Sequence, residues 1–349
     1  MAGLKDHVPF LAYGGKIDPL SEIRNAGIVT NGSVFWTKAV ADSDYTTFQD
    51  QVGAANVRNT AQASIDQVRS DTNDYVIVCP QDANAVYALG TAIDVNEDRV
   101  HLIGAGYTKA AQGYAITFRG YVSATATDTN LMDVTGAGCE LAGFRLLGTA
   151  GTSATGTINA GFLRIGTAAS GTAHATNVHD VVVENTQAAA AGGTPILVNF
   201  DGDVAGGIVG VRFDGCWIGN WSWAPTYCVE TGAGTAGPTR TTFKNTTFVM
   251  DAQATTDRFV NWGTGVTEHT IFENCRFINV TAGTAPASAI AGALLVGNPI
   301  LGIDCRLFNT TNLGTDTELL AVPNQAGTAQ AGIHNPNIGY IGTAIIAAA

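Results

Sequence analysis

A short phrase recurs along this chain and leaves few folds open to it. "IFENCRFINV" occupies residues 271–280, "TFKNTTFVM" 242–250 and "RFDGCWIGN" 212–220. The copies align on the small or polar residue that follows an apolar one. The anchors are Gly104 in "HLIGAGY", Gly143 in "ELAGFRL", Asn185 in "VVVENTQ", Gly215, Asn245, Asn274 and, in degenerate form, Asp304 in "LGIDCRLF". From Asn185 onward the steps are 30, 30, 29 and 30, and the two before it are 39 and 42. Those longer steps carry inserts such as "GTAGTSATGT" and "GTAASGTAHAT", which read as loops. Each phrase alternates apolar with polar residues, and its apolar members are β-branched or aromatic, as a strand requires. No helical period is sustained between 100 and 349. A fixed period of this size means a solenoid or a propeller, and a propeller blade needs about 40–50 residues and four strands. Steps near 30 with two or three short strands fit one coil of a parallel β-helix.

In that geometry the phrase has a mechanism. Phe272 and Phe277 fill the core, and Asn274 makes a tight corner where Asn or Gly tolerates a left-handed backbone. Equivalent residues stack at about 4.8 Å per coil. The spacing predicts a ladder of Asn185, Asn245 and Asn274, and a neighbouring column of Cys216, Cys275 and Cys305 in which Thr186 and Thr246 take the same place. The fold expected is all-β, a right-handed parallel β-helix of about seven coils spanning 59–310. Its open end needs a cap. Residues 59–69, "NTAQASIDQVR", offer a helix with Asn59 and Gln62 as a capping box and Ala61, Ile65 and Val68 on one face. Residues 1–58 read as an N-terminal arm or docking segment, and 311–349, where the repeat is lost, as a C-terminal cap or arm.

The formal net charge of -12 argues against a nucleic-acid surface, which wants a basic stripe, and gives little support for an anionic membrane. No stretch approaches the length of a spanning helix, and "MAGLKDHVPF" lacks the apolar core of a signal peptide. The six cysteines form no CxxC pair and have no histidine at zinc-finger spacing, so they read as small buried space-fillers, with no metal or cofactor expected. For acid–base work the best local cluster is "NFDGDVAGG", with Asp201 and Asp203, against the alternative of a polar turn. Asp251, Asp257 and Glu268 do not recur at the same offset, and Arg258 is the one basic residue at a candidate position. There is no G-x-S-x-G elbow or H-E-x-x-H pattern, and "GAGY" at 104–107 lacks the helix and lysine of a phosphate loop. The chain is therefore expected not to be an enzyme. Trp217, Trp221, Trp223 and Tyr227 lie together in "CWIGNWSWAPTY", as a subunit interface, as packing over the coil, or as a sugar-stacking platform.

The run "ASIDQVRSDTNDYVIVCP … AIDVNEDRVHLIGAGY" resembles the opening of the pectate-lyase-like class of parallel β-helices, in which an amphipathic capping helix leads into the first strand and coil. The resemblance covers roughly 59–310. Ahead of it, "GSVFWTKAVADSDYTTF" resembles β-helix proteins encoded among the structural genes of tailed bacteriophages. That second resemblance implies a virion surface protein, made in the bacterial cytoplasm. It would be a homotrimer that either decorates the capsid, with the major capsid protein as partner, or sits on the tail as a spike that binds or cleaves host polysaccharide.

Overall fold

The computed structural model describes residues 32–81, 86–89, 91–105, 116–122, 130–150, 162–167, 173–185, 196–201, 207–221, 227–231, 236–252, 257–262, 266–280, 288–291, 300–309 and 318–320. Three parallel sheets carry it: sheet I has ten strands, and sheets II and III have eight each. The chain visits them in turn. Glu140–Ala142 lies in sheet I, Arg145–Ala150 in sheet II and Leu163–Ile165 in sheet III, and Asn177–His179 then returns to sheet I beside Glu140–Ala142. This is a parallel β-helix. The described turns number eight, because Tyr75–Val78, Val86–Leu89 and Ile93–Val95 form one upstream of Gly104.

The corners explain the recurring phrase. Gly143, Asp180, Gly215, Asn245, Asn274 and Asp304 all have φ between 50° and 73°. The fourth-turn corner is therefore Asp180 and not Asn185, which ends the sheet II strand Val182–Asn185 opposite Gly148. "VVVEN" copies the spelling of the phrase, but backbone pairing sets the register. Five residues before each of the first five corners lies a second left-handed residue: Gly138, Ala175, Gly210, Arg240 and His269 stand ahead of Gly143, Asp180, Gly215, Asn245 and Asn274. The sheet I span between them is constant, so all variation in coil length falls in the other connections.

Inside, side chains from successive turns pile in columns. Phe213, Phe243 and Phe272 stack at 4.9 and 5.1 Å between ring centroids, and Phe248 lies 4.9 Å from Phe277 with the rings 4° from parallel. Such pairs add about 0.5–1.5 kcal/mol beyond the burial of their area. One continuous apolar cluster runs from Ala61 to Cys305.

The upstream end departs from the expected boundary at residue 58. Val34–Thr37 pairs with Tyr75–Val78, and Val57–Arg58 pairs outside it, so both are strands of sheet I rather than an arm. "VFWT" is β-branched and aromatic, and its outward Trp36 joins Phe48, Val57, Tyr75, Ile77 and Cys79 in a second cluster on the outer face of sheet I. Helix α1 (Tyr45–Val52) sets Phe48 edge-on to Trp36 at 5.4 Å. Lys38, 2% exposed, sits 2.7 Å from Asp44 and 3.2 Å from Asp42. Residues 1–31 lie outside the described part of the chain, as do most of 311–349.

Helix α2 (Ala61–Ile65) buries Ala61 and Ile65, with Val68 just beyond, against the first turns. Its cap is Thr60, not Asn59: the Thr60 hydroxyl accepts from the Ala63 N–H at 3.1 Å. Gln62 does other work. Its carbonyl accepts from the Asp94 N–H at 2.7 Å and its amide faces the Asp94 carbonyl at 3.4 Å, so one side chain pairs with the edge strand of sheet III as a strand would.

Phe243 touches both neighbours of its column, so Phe243→Ala leaves a void between two stacked rings. We expect a loss of about 3–5 kcal/mol in urea unfolding. A loss below about 1 kcal/mol would mean that the column does not carry the packing.

Candidate functional site

Sheet III turns a polar column outward. Its strands are apolar–polar–apolar triplets, with Met132, Val134, Leu163, Ile165, Val198, Phe200, Val229 and Val260 buried in the core. Between them Asp94, Asp133, Arg164, Asn199, Glu230 and Asn261 follow one another in register on six successive turns. Arg164 makes a two-point ion pair with Asp133, Nε to Oδ1 at 3.0 Å and Nη2 to Oδ2 at 3.1 Å. Its remaining nitrogen reaches Asp201 Oδ2 at 3.5 Å. Asn199 is fully buried beside them. Burial raises the pKa of Asp133 above the usual carboxylate range even against the pull of Arg164. Glu230 accepts from Asn261 Nδ2 at 3.3 Å, and burial, the dominant effect, raises its pKa to about 7. The column and the adjoining Asp201 thus bring together a fixed cation, Arg164, and four carboxyl groups, Asp94, Asp133, Asp201 and Glu230, the last with its pKa raised to about 7. Those are the parts needed to hold polar hydroxylated ligands and to move a proton.

Arg164 corrects the expectation that Arg258 alone could stand near Asp201. The offset is not constant because Arg164 and Asp201 belong to turns with inserts of different length. Ile165 pairs with Phe200, which puts Asp201 one place beyond the strand. Arg258 instead pairs in register with Tyr227 and donates to the Asp257 carbonyl at 2.7 Å. Asp203 lies outside the described residues.

A second group, on the outer face of sheet I, was not foreseen. His101 Nδ1 lies 2.6 Å from Glu140 Oε2, Glu140 Oε1 lies 2.8 Å from His179 Nε2, and His179 Nδ1 lies 3.2 Å from Asp180 Oδ2. Tyr75 stacks on His101 at 4.2 Å. Burial alone would raise Glu140, but the hydrogen bonds from His101 and His179 outweigh it and hold its pKa at about 2. Hydrogen bonds to Asp180 and then to Glu140 raise His179 to about 9 against the effect of burial.

The aromatic cluster read from the sequence is divided. Trp217 and Trp221 stay together at 5.7 Å on sheet II and just after it, with Trp221 52% exposed. Tyr227 opens a strand of sheet III, and Trp223 lies outside the described residues. In the ladder, Asn274 Nδ2 donates to Asn245 Oδ1 at 2.8 Å, and Asn245 Nδ2 donates to Asp214 Oδ1 at 2.9 Å. Asn185 is not in that line. Cys216, Cys275 and Cys305 each follow a left-handed corner and are buried, with Val181 and Thr246 in the equivalent places. Val181 therefore replaces Thr186, which lies outside the described residues. Among the described residues no group of three or more metal-ligating side chains converges, and no helix is long and apolar enough to cross a membrane.

No family model matches the chain, and no curated protein does. Among solved structures it is similar to a pectin methylesterase from Aspergillus niger, at 13% identity over 90% of this chain and 87% of that one, with a TM-score of 0.44. It is similar to an alginate lyase from a Paenibacillus species at 11% identity, over 88% and 97% of the two chains, with a TM-score of 0.40. It is also similar to the ORF18 protein of Geobacillus virus E2 at 13% identity, over 93% of this chain and 65% of that one, with a TM-score of 0.39.

Two pH effects follow from these groups. Glu140, lowered from 4.5 to about 2, stabilises the fold above pH 4.5, and this is lost as pH falls towards 2. His179, raised from 6.5 to about 9, stabilises it fully below pH 6.5, and this is lost as pH rises through 9. The urea midpoint should therefore fall between pH 6.5 and 9, and His179→Ala should flatten that limb; an unchanged limb in the variant refutes the assignment. Glu230 is raised from 4.5 to about 7, so ionising it in the folded state costs stability as pH rises through that interval. Glu230→Gln should gain on the order of 2 kcal/mol at pH 8 and little at pH 4, measured by urea unfolding at both. An equal effect at the two pH values would contradict a raised pKa.

Proposed function

We propose that this chain is a structural protein of a bacteriophage virion. It is a homotrimeric β-helix, made in the host cytoplasm, that decorates the capsid surface. Its upstream end docks on the lattice of the major capsid protein, and its body covers or clamps subunit junctions. The observation that supports this most is the segment "GSVFWTKAVADSDYTTF", which resembles phage structural β-helix proteins. That segment is built into the solenoid: Val34–Thr37 is paired in sheet I, and Lys38 is sealed between Asp42 and Asp44. A segment held firmly against the coils suits attachment through it, with the coils as rigid cover. Counting copies on purified particles by cryo-electron microscopy tests it. Many copies spread over the capsid are expected, and copies confined to the tail would overturn it.

A second reading, a tail spike that binds or cleaves host polysaccharide, draws on the Asp133–Arg164–Asp201 group and Glu230. It expects few copies per particle and oligosaccharide released from host envelope by the purified chain. It further expects that release to be lost in Arg164→Ala.

A further inference from the structure

Cys275 and Cys305 hold the same place on successive turns. Each follows a left-handed corner, Asn274 or Asp304, and precedes a strand in which Arg276 pairs with Arg306. Neighbouring rungs are about 4.8 Å apart, inside the window of about 4.4–6.8 Å between Cα atoms that a disulfide spans. Both side chains are fully buried, and they repeat the same contact one turn apart: the Cys275 thiol donates to the Phe243 carbonyl and the Cys305 thiol to the Phe272 carbonyl, each at 3.3 Å. No other two of the six cysteines share this relation. Cys216 lies in the same column but is separated from Cys275 by Thr246, and Cys79, Cys139 and Cys228 occupy other columns.

We infer that Cys275 and Cys305 form a dithiol site that reacts with a low-molecular-weight disulfide and closes into a cystine linking two neighbouring turns, just ahead of the sheet II strands Arg276–Asn279 and Arg306–Asn309. The two sulfurs are unequal. The neighbouring Cys275 thiol lowers the pKa of Cys305, while burial raises that of Cys275. Cys305 is thus the attacking sulfur and Cys275 the resolving one. In the first step the Cys305 thiolate attacks one sulfur of the small disulfide. The S–S bond breaks, and one half leaves as a thiolate that takes up the proton Cys305 gave up. In the second step Cys275 loses its proton, its sulfur attacks Cys305 Sγ, and the other half leaves as a second thiol. Two protein thiols are oxidised and one small disulfide is reduced to two thiols. Both thiols are buried, so the reagent reaches them through local opening of the turn, which costs less free energy than global unfolding.

The test uses the full chain, purified reduced and folded, incubated with excess glutathione disulfide, then alkylated and digested without reductant for mass spectrometry. A peptide pair linked through Cys275 and Cys305 is expected, with Cys79, Cys139, Cys216 and Cys228 alkylated as free thiols. Cys275→Ser should leave Cys305 trapped as the mixed disulfide with glutathione, and Cys305→Ser should leave Cys275 a free thiol. Both cysteines alkylated in the wild-type chain, or either one linked to a different cysteine, would overturn the inference, and this arm does not depend on the variants folding.

Discussion

The constant span of sheet I, bounded by two left-handed residues, is what the rest of the solenoid depends on. Between Gly138 and Gly143, Ala175 and Asp180, or His269 and Asn274, the chain has room for one short strand and nothing else. A left-handed corner turns the backbone sharply, so one such residue at each end fixes where the strand starts and stops. With sheet I fixed, backbone pairing carries the register to the next turn, and the phenylalanine columns follow because each ring must sit over the last. Several of these corners are Ala, Arg or His, residues that adopt the conformation at a cost of about 1–2 kcal/mol. Pairing on both sides and a buried column next to each corner offset that cost.

This division of labour explains which parts of the structure were legible in the sequence. From Gly215 onward the connections are short and the period near 30, so the corners, the strands and the Phe213–Phe243–Phe272 column could be read directly. Upstream the inserts lengthen, and a spelling match at Asn185 competed with the true corner at Asp180. The triplets of sheet III were there to be seen, as "IDV", "MDV", "LRI", "VNF" and "VET", but three residues between variable inserts have no fixed spacing to announce them. The polar column they build, and the position of Arg164 within it, emerge only when the sheet is paired. The boundary at 58 failed for a related reason. "VFWT" carries no copy of the recurring phrase, and only its pairing with Tyr75–Val78 makes it part of the solenoid.

The two outer faces put charge to different uses. On sheet I, Glu140 is held ionised between two imidazoles, and Asp180 holds His179 charged in turn, so every member has an opposite or hydrogen-bonding neighbour. That arrangement ties adjacent turns together. On sheet III, Arg164 answers Asp133 and Asp201, yet Glu230 has an amide neighbour in Asn261 and is pushed toward neutrality. A side chain kept from its ordinary charge state by its surroundings is better suited to exchanging protons than to holding strands.

At the upstream edge of sheet III, Gln62 occupies both backbone groups of Asp94. A strand arriving there from a second molecule finds its donor and acceptor already taken. Growth of the sheet by template copying, the route by which exposed strand edges lead to fibres, is blocked at this place by one amide. A further copy of the chain cannot lengthen sheet III at this edge without first displacing Gln62.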